Sequence, residues 1–383
     1  MPKLLFITQR PFYPDSSGGS QHSALYLFKS LCQLGWKVEV ICARKLYSPY
    51  FWQSCWQSLM HLRIPFPVVM DEDFGYRCWR VITKFADEHR WVKFFEQRLQ
   101  KYQPDVVLGH SDPKCPLLHY AVRQGYQSFY FARCTDHFET GAVVPDGIHV
   151  LANSPFAASV IAQVSDRVPE VILPFIELER YRVSHRQRQY ITFINPVPPK
   201  GLNVAMEIAR HLPQERFLFV KGKWVAYSGQ EDALLKSVHT LPNVEVWEHQ
   251  QDMRRVYAVT DILLFPSQYN ETFGRAIVEA QLNGIPVVAA NIAGIPYTIG
   301  KGGVLIEPID KPQAYANVLQ KLRTDKKLYA EKEALALENS QRPEFDAQYQ
   351  VRKFVQFVER KIRNKQLSPE HQYSIPKNPV SST

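Results

Sequence analysis

Short apolar runs alternate with stretches of helical spacing from one end of the chain to the other. Strands are expected over residues 4–7, 38–42, 105–108, 128–132, 148–152 and 171–173. A second series is expected over 190–194, 216–220, 244–247, 262–265, 286–289 and 304–306. Most of these runs are continuous and rich in β-branched or aromatic residues, the pattern of parallel strands covered on both faces. Helical spacing falls between them, at 20–34, 91–101, 203–211, 313–322 and 347–362. This order predicts an α/β chain of two doubly wound, Rossmann-like halves. The seam lies near 175–190, where a polar, charged stretch gives way to a fresh strand at Tyr190. The expected units are residues 1–180, residues 181–342, and a C-terminal helix at 343–367 that packs back toward the first unit. Residues 368–383 are Pro-rich and polar and are expected to be a disordered tail.

One stretch adds chemistry to the pattern. The run Ile262-Leu263-Leu264-Phe265 stops at Pro266-Ser267, a polar loop follows, and an amphipathic helix is expected to open near Thr272 to Gly274. Glu271 lies just before that helix and Glu279 about two turns inside it, so both can face the same end of the sheet. Between them, the free N–H groups of Phe273 and Gly274 would sit at a helix N-terminus, where phosphate is favoured. Gly274 has no Cβ, so a ligand can come close to the backbone. Two carboxylates around a phosphate-sized gap suit a sugar nucleotide. Two glutamates on a helix are by themselves more often a solvated face; the whole string from Phe265 to Ala290 is far more specific.

That string resembles the acid–seven–acid motif of the retaining glycosyltransferases of the GT-B fold, the glycosyl transferases group 1 family (glycosyltransferase family 4-like). Leu282-Asn283-Gly284-Ile285-Pro286-Val287-Val288-Ala289-Ala290 looks like the buried strand that follows the motif helix in that family. The resemblance implies two Rossmann-like domains facing each other across a cleft. It implies a nucleotide-diphosphate sugar donor on the second domain, an acceptor on the first, and no metal or other cofactor. Glu271 would hold hydroxyls of the transferred sugar and Glu279 the ribose. The Phe273 and Gly274 amides, beside Thr272, would hold the diphosphate.

Other segments carry the resemblance further. Gly18 and Gly19, after the first strand, resemble the family's glycine loop on the acceptor side of the cleft; their spacing is not G-x-G-x-x-G, which disfavours a dinucleotide site. Pro199-Lys200-Gly201 resembles the segment whose lysine neutralises the leaving diphosphate. The family usually carries an arginine several residues earlier, where Asn195 stands here; Lys221 or Lys223 are candidates for the missing charge. Val244 to His249 looks like the base-binding strand end, with Trp247 and Glu248 beside the nucleobase. For the histidine sought at the end of a strand in the first half, the candidates are His110 and, in the catalytic role, His137. Arg133 lies about where the family's histidine would stand, and Tyr297 replaces an acid that usually ends the Ala293-Gly294 loop.

Residues 46–95 hold Trp52, Trp56, Trp79 and Trp91 with Tyr47, Tyr50, Phe51, Phe66, Phe74 and Tyr76. They could form a surface that stacks on sugar rings or dips into a lipid interface. Core packing of an extra helix pair is the plainer expectation.

Composition narrows the choice. With 383 residues, 45% hydrophobic and 22% charged, the chain is long enough for two ordinary domains and apolar enough to bury a normal core. A formal charge of +9 favours acidic partners: nucleotide phosphates, anionic head groups or nucleic acid. Six cysteines without C-x-x-C or zinc-finger spacing point to free thiols in a reducing, cytoplasmic setting. No apolar run reaches signal-peptide or transmembrane length, which leaves a soluble protein or one attached to the inner membrane surface. Sugar transfer to a glycan, glycolipid or small-molecule acceptor is the expected function. An inactive GT-B protein that binds a nucleotide sugar is the alternative, motivated by Asn195, Arg133 and Tyr297. A nucleic-acid-binding protein ranks below both, because the basic residues are scattered and form no binding motif.

Overall fold

The computed structural model describes residues 1–16, 18–44, 68–81, 88–110, 115–222 and 236–367. The first half runs β1 (Lys3–Pro11), α1 (Gly19–Gln33), β2 (Lys37–Ala43), β3 (Val68–Asp71), β4 (Arg77–Val81), α2 (Glu88–Tyr102), β5 (Val106–Gly109), α3 (Pro116–Arg123), β6 (Gln127–Ala132), α4 (Asp136–Glu139), β7 (Ile148–Ala152), α5 (Pro155–Val164) and β8 (Glu170–Val171). The second runs β9 (Tyr190–Ile194), α6 (Leu202–His211), β10 (Phe217–Val220), β11 (Val244–Trp247), α7 (Arg254–Val259), β12 (Thr260–Phe265), α8 (Arg275–Gln281), β13 (Val287–Ala290), α9 (Ile295–Ile299) and β14 (Gly303–Ile306). Three helices close the chain: α10 (Pro312–Thr324), α11 (Lys326–Ser340) and α12 (Ala347–Leu367).

The strands form two sheets, ordered β3-β4-β2-β1-β5-β6-β7-β8 and β11-β10-β9-β12-β13-β14. Both have helices on their two faces, the doubly wound architecture expected from the alternating pattern. In the second sheet the strand order reverses between β9 and β12, and in the first between β1 and β5. Loops at the carboxyl ends of strands flanking such a reversal splay apart and leave room for a ligand. The glycine loop follows β1, the Lys200 turn follows β9, and the acidic motif follows β12.

Alternation along β1 shows how the first sheet is buried. Leu4 and Phe6 face a core completed by Leu27, Phe28 and Leu31 of α1 and by Val351, Phe354 and Val358 of α12. Leu5 and Ile7 face the opposite core, with Trp91, Phe95 and Leu99 of α2. The last helix therefore leaves the second half and buries its apolar stripe against the first sheet. Its Gln350 Oε1 accepts from the Leu173 amide at 3.0 Å. A smaller cluster joins Leu173 and Ile176, near the seam, to Phe273 and Val278 of the acidic motif and to Phe345.

The structure departs from the sequence expectation at 46–95. Among the described residues this region supplies an antiparallel pair, β3 with β4, at the edge of the first sheet, which the sequence pattern did not predict, and α2. Charge hid these strands. Asp71 and Arg80 interrupt the apolar pattern, yet their side chains are 1% and 0% exposed and pair at 2.7 Å. Arg80 also donates to the Tyr13 carbonyl at 2.9 Å. Trp91 is buried in the core, and Trp79 lies under the Arg98 guanidinium, 4.3 Å from its ring centre, with its indole N–H on Glu39. These two tryptophans pack inside the fold. Tyr47, Tyr50, Phe51, Trp52, Trp56 and Phe66 lie outside the described residues, as does the tail from Ser368.

Phe354 is wholly buried under the first sheet. Phe354→Ala is expected to lower unfolding stability by about 3–5 kcal/mol, read from a denaturant midpoint. A loss under about 1 kcal/mol would mean that α12 does not hold the first half together.

Candidate active site

Two glycines lock the loops of the second half against one another. Gly201 has φ 90°, and a Cβ there would run into the Pro266 carbonyl. A Cβ on Gly294 would run into the carbonyl of Thr272, and the Gly294 amide donates to the Glu271 carbonyl at 2.8 Å. These contacts bring the Lys200 turn and the Gly294 loop onto the acidic motif. Lys200 and Glu271 form an ion pair, with side chains 27% and 11% exposed. The Lys200 ammonium lies near the rings of Tyr269 and Phe265. Burial pushes it down to about 8.

The motif helix starts later than expected. Gly274 has φ 75° and ψ 60°, a left-handed conformation that stops a helix from including it, and α8 begins at Arg275. Thr272, Phe273 and Gly274 thus form a turn in front of the helix. Among the described residues the Phe273 and Gly274 amides meet no acceptor. Glu279 is buried, and its Oε2 accepts from the Tyr257 hydroxyl at 2.8 Å. Its other oxygen lies 3.4 Å from Arg275 Nη2. The charge of Glu279, and then burial, push the Tyr181 hydroxyl up to about 12. The two acids therefore have separate partners, Glu271 at the end of β9 and Glu279 beside α7.

The halves touch across this turn. The Thr272 hydroxyl donates to the Arg133 carbonyl at 3.1 Å and accepts from Asn153 Nδ2 at 2.9 Å. Asn270 donates to both Glu139 carboxylate oxygens, at 3.0 and 2.9 Å. Arg275 Nη1 donates to the Gly19 carbonyl at 2.6 Å, and a Cβ on Gly19 would sit 3.0 Å from the Arg275 Cδ. Gly18 precedes α1, where its amide donates to Gln21 Oε1 at 3.1 Å. The glycine pair and the acidic motif are brought face to face.

The two histidine candidates belong to the first half, beside the carboxyl ends of β1 and β5. His110 and His137 line a cavity of about 250 Å³ in the first half, with Thr8, Arg10, Gly109 and Cys115; its lining includes neither Lys200 nor Glu271. The His110 ring stacks on Phe6, 5.1 Å between centres. Burial, then Arg133 and Arg10, push its imidazole down to about 3. His137 is exposed on the single turn of α4. Arg133 lies over the Phe131 ring, donates to the Ser23 hydroxyl at 3.0 Å, and is held down to about 9 by burial and then by the charge of Arg275.

The remaining sequence candidates are engaged with protein partners. Asn195 has φ 62°, a conformation asparagine tolerates, and its side chain lies against Gly222. Lys221 pairs with Glu248 at 2.6 Å; Lys223 lies outside the described residues. The Trp247 indole donates to Glu245 at 2.6 Å and its ring packs beside Leu218, Val220 and Val256. Tyr297 packs against Phe345 and under the Arg342 guanidinium. Four site residues escaped the sequence reading: Tyr181, Tyr257, Asn153 and Arg275. Only Arg275 carried a signal, as the one cation inside the acidic string.

Residues 188–325 match the family described as glycosyl transferases group 1. The O-antigen chain mannosyltransferase B of Escherichia coli is 28% identical over 166 residues, 42% of this chain and 42% of that protein. The chain thus aligns with about two fifths of that relative's length. Sucrose-phosphate synthase from Thermosynechococcus elongatus superposes with a TM-score of 0.79 at 17% identity, covering 95% of this chain and all of that one. An Anabaena protein, Alr3699/HepE, solved in complex with UDP and glucose, superposes with a TM-score of 0.71 at 18% identity, over 94% of this chain and 100% of that one. The structural likenesses place the fold with the GT-B glycosyltransferases.

The protonation of Lys200 generates a prediction. Folding lowers its affinity for a proton, so the cost of burying its charge is present below about 8 and is relieved as pH rises toward the unfolded lysine value. Anion binding runs the opposite way. Affinity for inorganic pyrophosphate, followed by calorimetry, should fall as pH rises through about 8, and Lys200→Gln should remove that dependence. An unchanged pH profile in the variant would dissociate Lys200 from the anion.

Proposed function

We propose that this chain, a member of the glycosyl transferases group 1 family through its domain at residues 188–325, transfers a sugar from a nucleotide-diphosphate sugar to an acceptor hydroxyl with retention of configuration. One observation carries the reading. A half-buried lysine–carboxylate pair and two amides without acceptors lie side by side, directly opposite the glycine loop of the other half.

In this reading the bond from the sugar's anomeric carbon to the diphosphate oxygen breaks, and its electron pair leaves with the diphosphate. The acceptor oxygen bonds to the same carbon and passes its proton to an oxygen of the departing diphosphate. Lys200 and the Phe273 and Gly274 amides offset the charge that grows on the departing phosphate oxygens. Glu271 accepts hydroxyls of the transferred sugar, and Glu279 accepts from the ribose while Tyr257 fixes its orientation. The Lys200–Glu271 pair gives each group a partner until donor arrives; the donor then supplies a phosphate for one and hydroxyls for the other. The direct contacts at Thr272, Asn270 and Arg275 support a hinge that opens for entry and closes to exclude water.

Similarity to an O-antigen mannosyltransferase and to a fold solved with UDP supports a nucleotide-sugar donor and a role in polysaccharide or glycoconjugate synthesis. Among the described residues no helix is long and apolar enough to cross a membrane. A cytoplasmic enzyme, in peripheral contact with the inner membrane surface where the acceptor is lipid-linked, accords with this. The second reading, nucleotide-sugar binding without transfer, is favoured by one observation: Asn195 holds no cation.

Glu279→Gln should weaken donor binding about 10-fold or more, whereas Lys200→Ala should slow turnover of bound donor about 100-fold with less effect on affinity. A thermal-shift screen against UDP-, GDP- and ADP-sugars identifies the donor for these assays. If both purified variants transfer sugar as well as the parent, the assignment of the site is wrong. A parent that binds donor but neither transfers nor hydrolyses it has the second function.

A further inference from the structure

The reading above leaves one charge unaccounted for. A departing nucleoside diphosphate needs more than one cation, and the position where the family carries an arginine is occupied by Asn195. Among the described residues the one nearby basic candidate, Lys221, is held by Glu248, and Asn195 packs its side chain against Gly222. We propose that Arg133 and Arg275, one from each half, form a guanidinium pair that grips the diphosphate of the donor and takes the place of the missing cation. The inference rests on the nucleotide-sugar reading and names the group that recognises its phosphates.

The geometry around each arginine supports it. Arg275 follows Gly274 directly, so its backbone continues the turn whose amides have no acceptor. Its Nη1 contacts the neutral Gly19 carbonyl, its Nη2 the Tyr181 hydroxyl at 3.2 Å and Glu279 at 3.4 Å, and its buried Nε has no hydrogen-bond partner among the described residues. Arg133 approaches from the other half. Its carbonyl is bonded to Thr272 in the same turn, and its guanidinium contacts the neutral Ser23 hydroxyl and the Phe131 ring. The side chains thus flank the first turns of α1, at Gly19 and Ser23. Each is close enough to the other for Arg275 to disfavour the charge on Arg133.

Arg275 is paired with Glu279 at 3.4 Å, yet its charge still disfavours that of Arg133, so an anion that reaches both would relieve the repulsion. A diphosphate offers several oxygens in the planar, two-pronged geometry that guanidinium matches and ammonium does not. The pair rests on the placement of the two side chains at Gly19 and Ser23 of α1, and not on the end of α8, which is short. Because the pair is split between the halves, the diphosphate would also draw them together. A monophosphate, with one group fewer to bridge, would do so poorly.

Calorimetry on the full chain tests this with UDP, GDP and ADP against the corresponding monophosphates. Arg133→Met and Arg275→Met should each weaken the bound diphosphate about 10- to 100-fold while changing monophosphate affinity less than about 3-fold. Arg133→Lys, which keeps the charge but not the planar fork, should recover only part of the affinity lost in Arg133→Met, and its melting temperature checks that position 133 tolerates change. Diphosphate affinity equal to the parent's in both Met variants overturns the pair while leaving the donor reading intact. Equal losses for mono- and diphosphate also overturn it, because they signal a disturbed fold. A parent that binds no nucleoside diphosphate overturns the donor reading itself, and the pair with it.

Discussion

The site depends on backbone approaching backbone where no side chain can fit. At Gly201 and at Gly294 a Cβ would collide with a carbonyl of the acidic segment, at Pro266 and Thr272 respectively. Those two contacts pin three loops, from the ends of β9, β12 and β13, into one surface at the carboxyl edge of the second sheet. Lys200 reaches Glu271 because Gly201 lets its turn lie flat on Pro266. The motif turn is held by a hydrogen bond from Gly294 to Glu271 and by the left-handed Gly274 that ends it. Parallel sheet topology supplies the ledge, and glycine makes it tight enough to position charges.

Charge then determines what the ledge can hold. Lys200 loses solvation and is paired with Glu271. Arg133 lies between an aromatic ring and a hydroxyl, and Arg275 donates to a carbonyl and a tyrosine and pairs with Glu279 at 3.4 Å. Positive groups left in that condition favour an incoming anion, since phosphate oxygens restore what water would have supplied. The cavity with His110 and His137 has a different character. Burial and two arginines keep the His110 imidazole neutral, so it can accept or donate a hydrogen bond but adds no charge.

The last helix couples the two halves. It starts beyond the second sheet and buries Val351, Phe354 and Val358 under the first, while Phe345 packs against Phe273 in the motif. A movement of one half relative to the other must therefore pass through the cluster of Leu173, Ile176, Phe273, Val278 and Phe345. The acidic turn is part of that cluster, which ties the proposed binding surface to the seam between the halves.

Much of this was legible along the chain. The alternation of apolar runs and helical spacing sufficed for two doubly wound sheets, because strands buried on both faces must be apolar throughout. The string from Phe265 to Ala290 marked the acids and the turn between them, since glycine, proline and paired carboxylates are rare in that order for packing reasons alone. Strands β3 and β4 escaped notice because Asp71 and Arg80 satisfy each other only once the chain has folded. The same holds for the start of α8, which a left-handed Gly274 sets back, and for Tyr257 and Asn153, which reach the motif from distant segments. Local sequence encodes periodicity and turn chemistry. Which charges share a partner, and which arginines from separate halves come together, depends on contacts between residues far apart in the chain, and only the tertiary structure decides those.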